Sequence, residues 1–352
     1  MRTRNNVVVI TGASSGVGRA CAQRFAARGW TVVLAGRRAA ELEEVARRCR
    51  RRRRARALAV PTDVTDPTAV DELARRALAE YGRIDMWVNS AAVAAFGPLE
   101  SVPPAVVRGV LDTGVLGYVH GARAALAAMR AQGSGTLVNI SSAVGAAPVP
   151  YNSAYVMAKS AVRALGGSLR QELRLSGHRD IHVCTVLPAT LDTPFFGNAA
   201  NYSGRAVRPL SPVYTPERAA RRIVRLARTP RREVYVGPAA RALAVLSALV
   251  PATTERFLAR QMDRHHLSRT VAAPDTRGNV FDPPAGAARH GGWHGRRRTA
   301  LRRLTTAALL TTLVLTAGRA LRPPGGAAGR MPAAAGRRRC AARRRRGPWS
   351  AG

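Results

Sequence analysis

The sequence predicts an α/β fold: a doubly wound parallel sheet in a single domain, followed by a helical extension and a basic tail. Short apolar runs alternate with segments of helical period from about residue 6 to residue 236. A glycine-rich turn follows the first run at once. Nearly every polar motif lies at the C-terminal end of a run, the edge at which an open α/β sheet takes its ligand. With 352 residues and 46% hydrophobic content, the chain is long enough for one large domain and an appendage.

Residues 6–10, Asn-Val-Val-Val-Ile, read as a buried parallel strand. Thr11-Gly12-Ala13-Ser14-Ser15-Gly16-Val17-Gly18 comes next, and a helix over roughly 17–28 carries Cys21, Phe25 and Ala26 at helical spacing. A strand, a glycine turn and a helix in that order are the setting of a dinucleotide-binding loop. Gly12 allows the tight turn. Gly16 and Gly18 let the backbone approach a pyrophosphate and let the helix pack close, with its N-terminus toward the phosphates. The second strand, 31–35, ends at Gly36-Arg37-Arg38. An acid there would bond a ribose 2′-hydroxyl, whereas arginine accommodates a 2′-phosphate. No acid occurs before Glu41, so Arg37 and Arg38 favour NADP(H) over NAD(H).

A third strand near 58–60 leads to Thr62-Asp63-Val64, and a fourth, 85–88, to Asn89-Ser90-Ala91-Ala92. Helical stretches at about 39–49, 67–81 and 104–131 separate the strands. The fifth strand, 135–140, ends at Ser141-Ser142. The helix over 153–176 carries Tyr155 and Lys159, and the sixth strand, 181–187, ends at Pro188. Residues 189–215, rich in Pro, Gly and Asn, read as one long functional loop. A helix at 216–228 and a strand at 233–236 complete the series, and 239–267 read as helical.

Lys159 is the only lysine in the chain. It stands four residues after Tyr155, and such positions share a helix face. A free phenol ionises near pH ~10, and an adjacent ammonium pulls that value down, which makes the pair an acid/base candidate. Tyr151 is a rival tyrosine without a lysine at that spacing.

The formal net charge is +37. It is concentrated in the run Arg50–Arg54 and after Asp282, beyond which no acid occurs while arginines recur from Arg289 to Arg346. That distribution, with arginine almost replacing lysine, reads as composition rather than as a specific nucleic-acid surface. Residues 274–352, rich in Gly, Pro, Ala and Arg, read as a largely disordered tail. Its apolar segment 304–317 is shorter than the ~20 residues a span needs. Between Arg303 and Arg319 it suits a membrane surface instead. Four cysteines without a CxxC pair and an opening without a leader-like segment suit a reducing cytoplasm, with peripheral membrane contact through the tail as a second expectation. His265-His266 and His290/His294 read as ordinary surface histidines, with no metal site.

Together these motifs resemble the short-chain dehydrogenase/reductase family over roughly residues 5–240, with a Rossmann-like core as domain 1–240, a helical extension 241–273 and the tail from 274. The resemblance implies carbonyl/alcohol interconversion with a nicotinamide cofactor. Tyr155 would be the general acid/base. Lys159 would lower its pKa and hold the nicotinamide ribose, and Ser142, 13 residues before Tyr155, would hold the substrate oxygen. Thr11, Gly12, Ser14, Ser15, Gly16, Val17 and Gly18 would form the cofactor loop, Asp63 and Val64 the adenine neighbourhood, Asn89 the start of an NNAG-like motif, and Pro188 and Thr193 the nicotinamide clasp. It also implies a small carbonyl/alcohol substrate and a homodimer or homotetramer. The aromatics Phe195, Phe196, Tyr202 and Tyr214 suggest an apolar substrate. One departure matters: Gly114 stands where the family carries an asparagine that holds a water in the relay to the lysine. Ser90 and Ala92 also depart from NNAG. An oxidoreductase of impaired activity and a cofactor-binding protein with little or no turnover both remain open. A membrane- or polyanion-binding role of the tail is a third reading.

Overall fold

A computed structural model describes residues 6–52, 55–283 and 288–294. Its strands are β1 (Val7–Thr11), β2 (Thr31–Gly36), β3 (Ala57–Pro61), β4 (Met86–Asn89), β5 (Ala95–Phe96), β6 (Gly135–Ile140), β7 (Ile181–Pro188), β8 (Ala200–Asn201), β9 (Arg205–Val207), β10 (Glu233–Val236) and β11 (Leu267–Ala272). Seven form one sheet in the order β10-β7-β6-β4-β1-β2-β3, with every pairing parallel. The order reverses between β1 and β4, where a crevice opens at the strand ends.

Side chains alternate across the pleat. Val8 and Ile10 of β1 enter one core with Phe25 of α1 (Gly16–Ala26), Leu42 of α2 (Ala39–Arg50) and Ile223 of helix Pro216–Leu226. Val7 and Val9 enter the opposite core with Leu73 of α3 (Pro67–Tyr81) and Met129 and Leu173 of two later helices. Both faces of the sheet are therefore covered, which is why its strands read as unbroken apolar runs.

The expected helix 104–131 is two helices, α4 (Pro104–Leu111) and α5 (Gly117–Gln132), joined by a π-turn, Asp112–Leu116. Glycine lets α5 lie close to the sheet. A Cβ on Gly121 would sit 2.2 Å from Asn89 Oδ1, and one on Gly117 would sit 2.7 Å from Val64 Cγ2. The site helix α6 (Ser153–Leu175) follows β6. Beyond it come α7 (Phe195–Asn198), α8 (Pro216–Leu226), α9 (Pro238–Leu249) and α10 (Pro251–Gln261).

Three further expectations change. The stretch 189–215 is not one loop, since it holds α7, β8 and β9. The extension 241–273 is not helical throughout: after a π-turn, Met262–His266, the chain becomes β11, antiparallel to β9. The guanidinium of Arg205 organises this change, donating to the carbonyls of Asp263, Leu267 and Ser268 and to the Asp263 carboxylate. Finally, the tail does not leave the core at 274. Thr276 and Asn201 exchange backbone hydrogen bonds at 2.9 Å, and Val280 is buried beside Val106, Val110 and Ala200. The apolar segment 304–317 lies outside the described residues. Among the described residues no helix is long and apolar enough to cross a membrane.

Candidate active site

A cavity of about 810 Å3 runs along the crevice, from Gly12 and Arg37 at one end to Phe257 and Met262 at the other. The volume lies within the ~300–1,000 Å3 usual for small-molecule sites. Gly12, Ser14, Ser15, Gly16 and Val17 line one end, with Arg37, Arg38, Asp63 and Val64 beside them. Ser142, Tyr155, Lys159, Pro188 and Thr193 line the middle.

The glycine turn is built by close approach. Gly12 has φ +64°, and a Cβ there would lie 2.9 Å from the backbone of Ala91. A Cβ on Gly18 would lie 2.3 Å from the Gly12 carbonyl oxygen. Gly18 thus serves the packing of α1 and does not reach the cavity. Thr11 and Asn89 also lie behind the wall. The Thr11 hydroxyl accepts from the Ser90 and Ala91 amides at 3.0 and 3.3 Å. Asn89 bonds to Trp87, Asn139 and the Tyr118 carbonyl. Both tie β4 to its neighbours and hold in place the loops that line the cavity. Thr193 packs its methyl near Gly16. Asp63 accepts from the Thr65 amide and hydroxyl at 3.0 and 2.8 Å, which fixes its turn.

The two arginines are placed differently. Arg38 donates to the Ser14 hydroxyl at 2.9 Å, so both face the crevice beside the glycine turn. Arg37 is engaged by backbone oxygens of a distant stretch. It donates to the carbonyl oxygens of Asn279, Val280 and Phe281 at 2.7, 3.4 and 2.5 Å.

The catalytic candidates converge through α6. The Ser141 hydroxyl donates to the Lys159 carbonyl at 2.7 Å, and a Cβ on Gly145 would lie 2.6 Å from that oxygen. The short turn after β6 therefore presses on α6 and brings Ser142 to Tyr155. Tyr151, at φ 62°, turns the chain into α6 without reaching the cavity. Burial pushes the Tyr155 phenol up, while a hydrogen bond with Ser142 pulls it down. Lys159 is 2% exposed. Desolvation lowers its ammonium from 10.5 to about 7. Its Nζ donates to the Ile140 carbonyl at 2.9 Å and to the Tyr118 hydroxyl at 3.0 Å, and lies 5.4 Å from the centroid of the Tyr155 ring.

Among the cavity residues that were not anticipated, Tyr118 and His266 carry titratable groups. Tyr118 is 1% exposed and stands four residues after Gly114, a spacing that would have placed it on the face turned to Lys159. His266, expected at the surface, is 4% exposed, with its ring edge-on to Phe96 and Phe196 at 5.0 and 5.8 Å. Burial lowers it from 6.5 to about 4, so it is a neutral wall residue. Phe195 packs tilted against the Tyr155 ring at 5.1 Å between centroids and joins these rings into one aromatic wall. Tyr202 and Tyr214 lie outside the cavity.

Gly114 has a physical reason. A Cβ there would lie 2.9 Å from the Ala158 Cβ, because the π-turn and α6 touch at this point. Glycine is what lets α6 approach so closely.

A family model described as short chain dehydrogenase matches residues 6–202. The chain is 32% identical over 297 residues to an uncharacterized oxidoreductase, YxnA, of Bacillus subtilis, covering 83% of each. Among solved structures, a short chain dehydrogenase/reductase from Burkholderia phymatum in complex with NAD superposes with TM-score 0.65 at 26% identity, over 72% of this chain and 97% of that one. An alcohol dehydrogenase from the archaeon Thermococcus sibiricus, complexed with 5-hydroxy-NADP, gives TM-score 0.58 at 26% identity, over 65% and 95%.

Proposed function

Because the chain belongs to the short-chain dehydrogenase family, we propose that it is an NADP(H)-dependent oxidoreductase interconverting a bulky apolar carbonyl and its alcohol. One observation supports this most: Tyr155, Lys159 and Ser142 meet on a cavity that continues to the glycine turn and the paired arginines.

The residues fit the cofactor. Gly12 and Gly16 leave a cradle that a Cβ would fill. Arg38 and Ser14 supply donors beside it, and Arg37 supplies a second guanidinium. Arg37 and Arg38 would hold a 2′-phosphate, Gly16 and Val17 the pyrophosphate, and Lys159 and Thr193 the nicotinamide end. When bound, the cofactor supplies or accepts the hydride. The protein supplies the rest. Tyr155 gives its proton to the alkoxide oxygen in reduction and takes it back in oxidation, while Ser142 holds that oxygen. Lys159, desolvated and fixed, places positive charge beside the phenol and favours its ionised form. The aromatic wall of Phe96, Phe195 and Phe196, with Phe257 and Met262 beyond, excludes water and favours an apolar substrate body.

A separate groove between α5 and α6, lined by Leu126, Leu165 and Leu169, is the surface we assign to a second copy of the chain. Light scattering would read a dimer or tetramer, and a monomer would remove that assignment. The enzyme reading is tested by NADPH oxidation against a panel of carbonyl compounds with Tyr155→Phe as control. Turnover by the parent and not by the variant is expected, and equal rates would overturn it. The cofactor assignment is tested by NADPH and NADH binding to Arg38→Ala, which should weaken NADPH selectively.

A further inference from the structure

The Lys159 ammonium is buried among three elements, and its partners are few. From β6 the Ile140 carbonyl accepts from Nζ at 2.9 Å. From α5 the Tyr118 hydroxyl accepts at 3.0 Å, with the Tyr118 ring centroid 4.7 Å from Nζ. From its own helix the Tyr155 ring faces it at 5.4 Å. Tyr118 and Tyr155 are thus the titratable groups that face Lys159. Tyr118 is itself held, since its hydroxyl donates to the Ile140 carbonyl at 2.9 Å. The three atoms form a closed triangle across β6, α5 and α6. Burial alone opposes the charge on Nζ. A hydroxyl oxygen accepting from an ammonium favours the charged form.

We infer that Tyr118 is a positioning residue for the reaction: its hydroxyl holds the Lys159 ammonium charged and aimed at Tyr155, on the face where Gly114 offers no side chain. The hydroxyl is the only group removed in Tyr118→Phe, so the ring and its packing stay. Lys159 being the only lysine, full-length protein labelled with 13C at the lysine ε carbon gives one resonance that reports its charge directly. In the parent it should titrate near pH 7, and in Tyr118→Phe about one pH unit lower or more, because a charge-assisted hydrogen bond is lost. Turnover should fall roughly 10-fold, with its alkaline limb moved to lower pH by the same shift. A packing role alone would lower the amplitude and leave the titration where it was, and that result overturns the inference. It rests on the oxidoreductase reading only for turnover. A shifted resonance in a protein that reduces no carbonyl would sink that reading and leave Tyr118 as the residue that sets Lys159.

A second inference rests on different residues. Two stretches of chain beyond β11 lie over the cofactor end of the cavity. In 275–283, the carbonyls of residues 279–281 take both terminal nitrogens of Arg37. The Asn279 amide donates to Asn198 at 2.8 Å. In 288–294, the Ala288 carbonyl accepts from the Gly16 amide at 3.1 Å, at the N-terminus of α1. The Gly291 and Trp293 amides donate to Asp192 Oδ1 at 3.1 and 2.8 Å. Arg289 and His290 pair with Glu217. Among the described residues, carbonyl oxygens therefore occupy the Arg37 guanidinium and the Gly16 amide, the two kinds of donor that phosphate oxygens bind.

We propose that these two described stretches, 275–283 and 288–294, act as an autoinhibitory strap, displaced when phosphate oxygens of NADP(H) take Arg37 and the Gly16 amide. A phosphate is the stronger acceptor because it is charged. NAD(H), without a 2′-phosphate, contests only the 288–294 half. This rests on the NADP(H) reading. The test is amide hydrogen exchange of the full chain, free and with saturating NADP+ or NAD+. NADP+ should speed exchange in both stretches, and NAD+ only in 288–294. Binding is followed separately by tryptophan fluorescence. NADP+ that binds while the stretches stay protected overturns the strap alone, and NADP+ that does not bind overturns the cofactor reading with it. Val280→Asp, which buries a charge where Val280 packs, should release the strap and tighten NADP+ binding roughly 10-fold. Weaker binding in that variant would contradict the proposal.

Discussion

Placing asparagine at position 114, where the sequence resemblance leads one to expect it, should harm this protein. At Gly114 a Cβ would lie 2.9 Å from the Ala158 Cβ, below the distance real Cβ atoms keep, and neither Cβ can move unless its helical backbone moves with it. Gly114→Asn must therefore move α6 or open the π-turn. Overpacking of this kind costs about 1–3 kcal/mol. Replacing a helical glycine returns up to ~1 kcal/mol. With the whole glycine penalty recovered, the net is a loss of about 0–2 kcal/mol, or a Tm lower by up to roughly 8 °C in a domain of this size. Because Ala158 immediately precedes Lys159, the shift also moves Nζ off the Tyr118 and Ile140 oxygens, so turnover should fall as well. Scanning calorimetry and NADPH oxidation read the two effects. Ala158→Gly in the same chain should recover most of the lost Tm relative to Ala158→Gly alone, as a coupled pair does. A Gly114→Asn protein that melts no lower than the parent and turns over faster would refute the steric account and revive the reading of an impaired relay.

Further outcomes follow from the same geometry. His266 is depressed from 6.5 to about 4, so its contribution is present above 6.5 and lost as pH falls toward 4. About 3 kcal/mol of stability should go in that window, and His266→Phe should flatten it. Parallel losses in both proteins would exclude His266 as the cause. Lys159 is depressed from 10.5 to about 7, so folding is favoured progressively as pH rises from 7 to 10.5. Lys159→Met should remove that rise in urea midpoints, and an unchanged slope would count against a desolvated lysine. Gly12→Ala adds a methyl at φ +64° against the Ala91 backbone. It should abolish the enhancement of NADPH fluorescence on binding while the other face of the sheet stays folded, and normal binding would mean the turn is not the cradle.

The sheet was legible because its signals are local. Val7–Thr11, with the glycine turn behind it, needs no partner to be read as a buried strand. The order of Ser142, Tyr155 and Lys159 is likewise a matter of spacing along one helix and the turn before it. What escaped depends on contacts between distant segments. The strand at Leu267–Ala272 exists because Arg205 gathers its carbonyls across 62 and 63 residues of sequence. His266 reads as a surface residue until Phe96 and Phe196 enclose it. Residues 275–283 look like a Gly/Pro tail by composition, yet Val280 finds an apolar pocket and Arg37 finds their carbonyls. Thr11 and Asn89 carry the right motif letters but spend their polar atoms on neighbouring backbone and side chains. Gly114 is the reverse case. A departure from the family pattern looked like a defect, and the packing of Ala158 gives it a reason.

The central claim is that Tyr155 passes a proton in step with hydride transfer at this cavity. Its most direct measurement is deuterium transfer from 4-deuterated NADPH to apolar ketones, followed by mass spectrometry of the alcohol, in the parent and in Tyr155→Phe. Deuterated alcohol is expected from the parent, with nearly all of it lost in a variant that still binds NADPH. Label transfer at the parent rate by Tyr155→Phe, or none from the parent with any ketone despite tight NADPH binding, would contradict that claim.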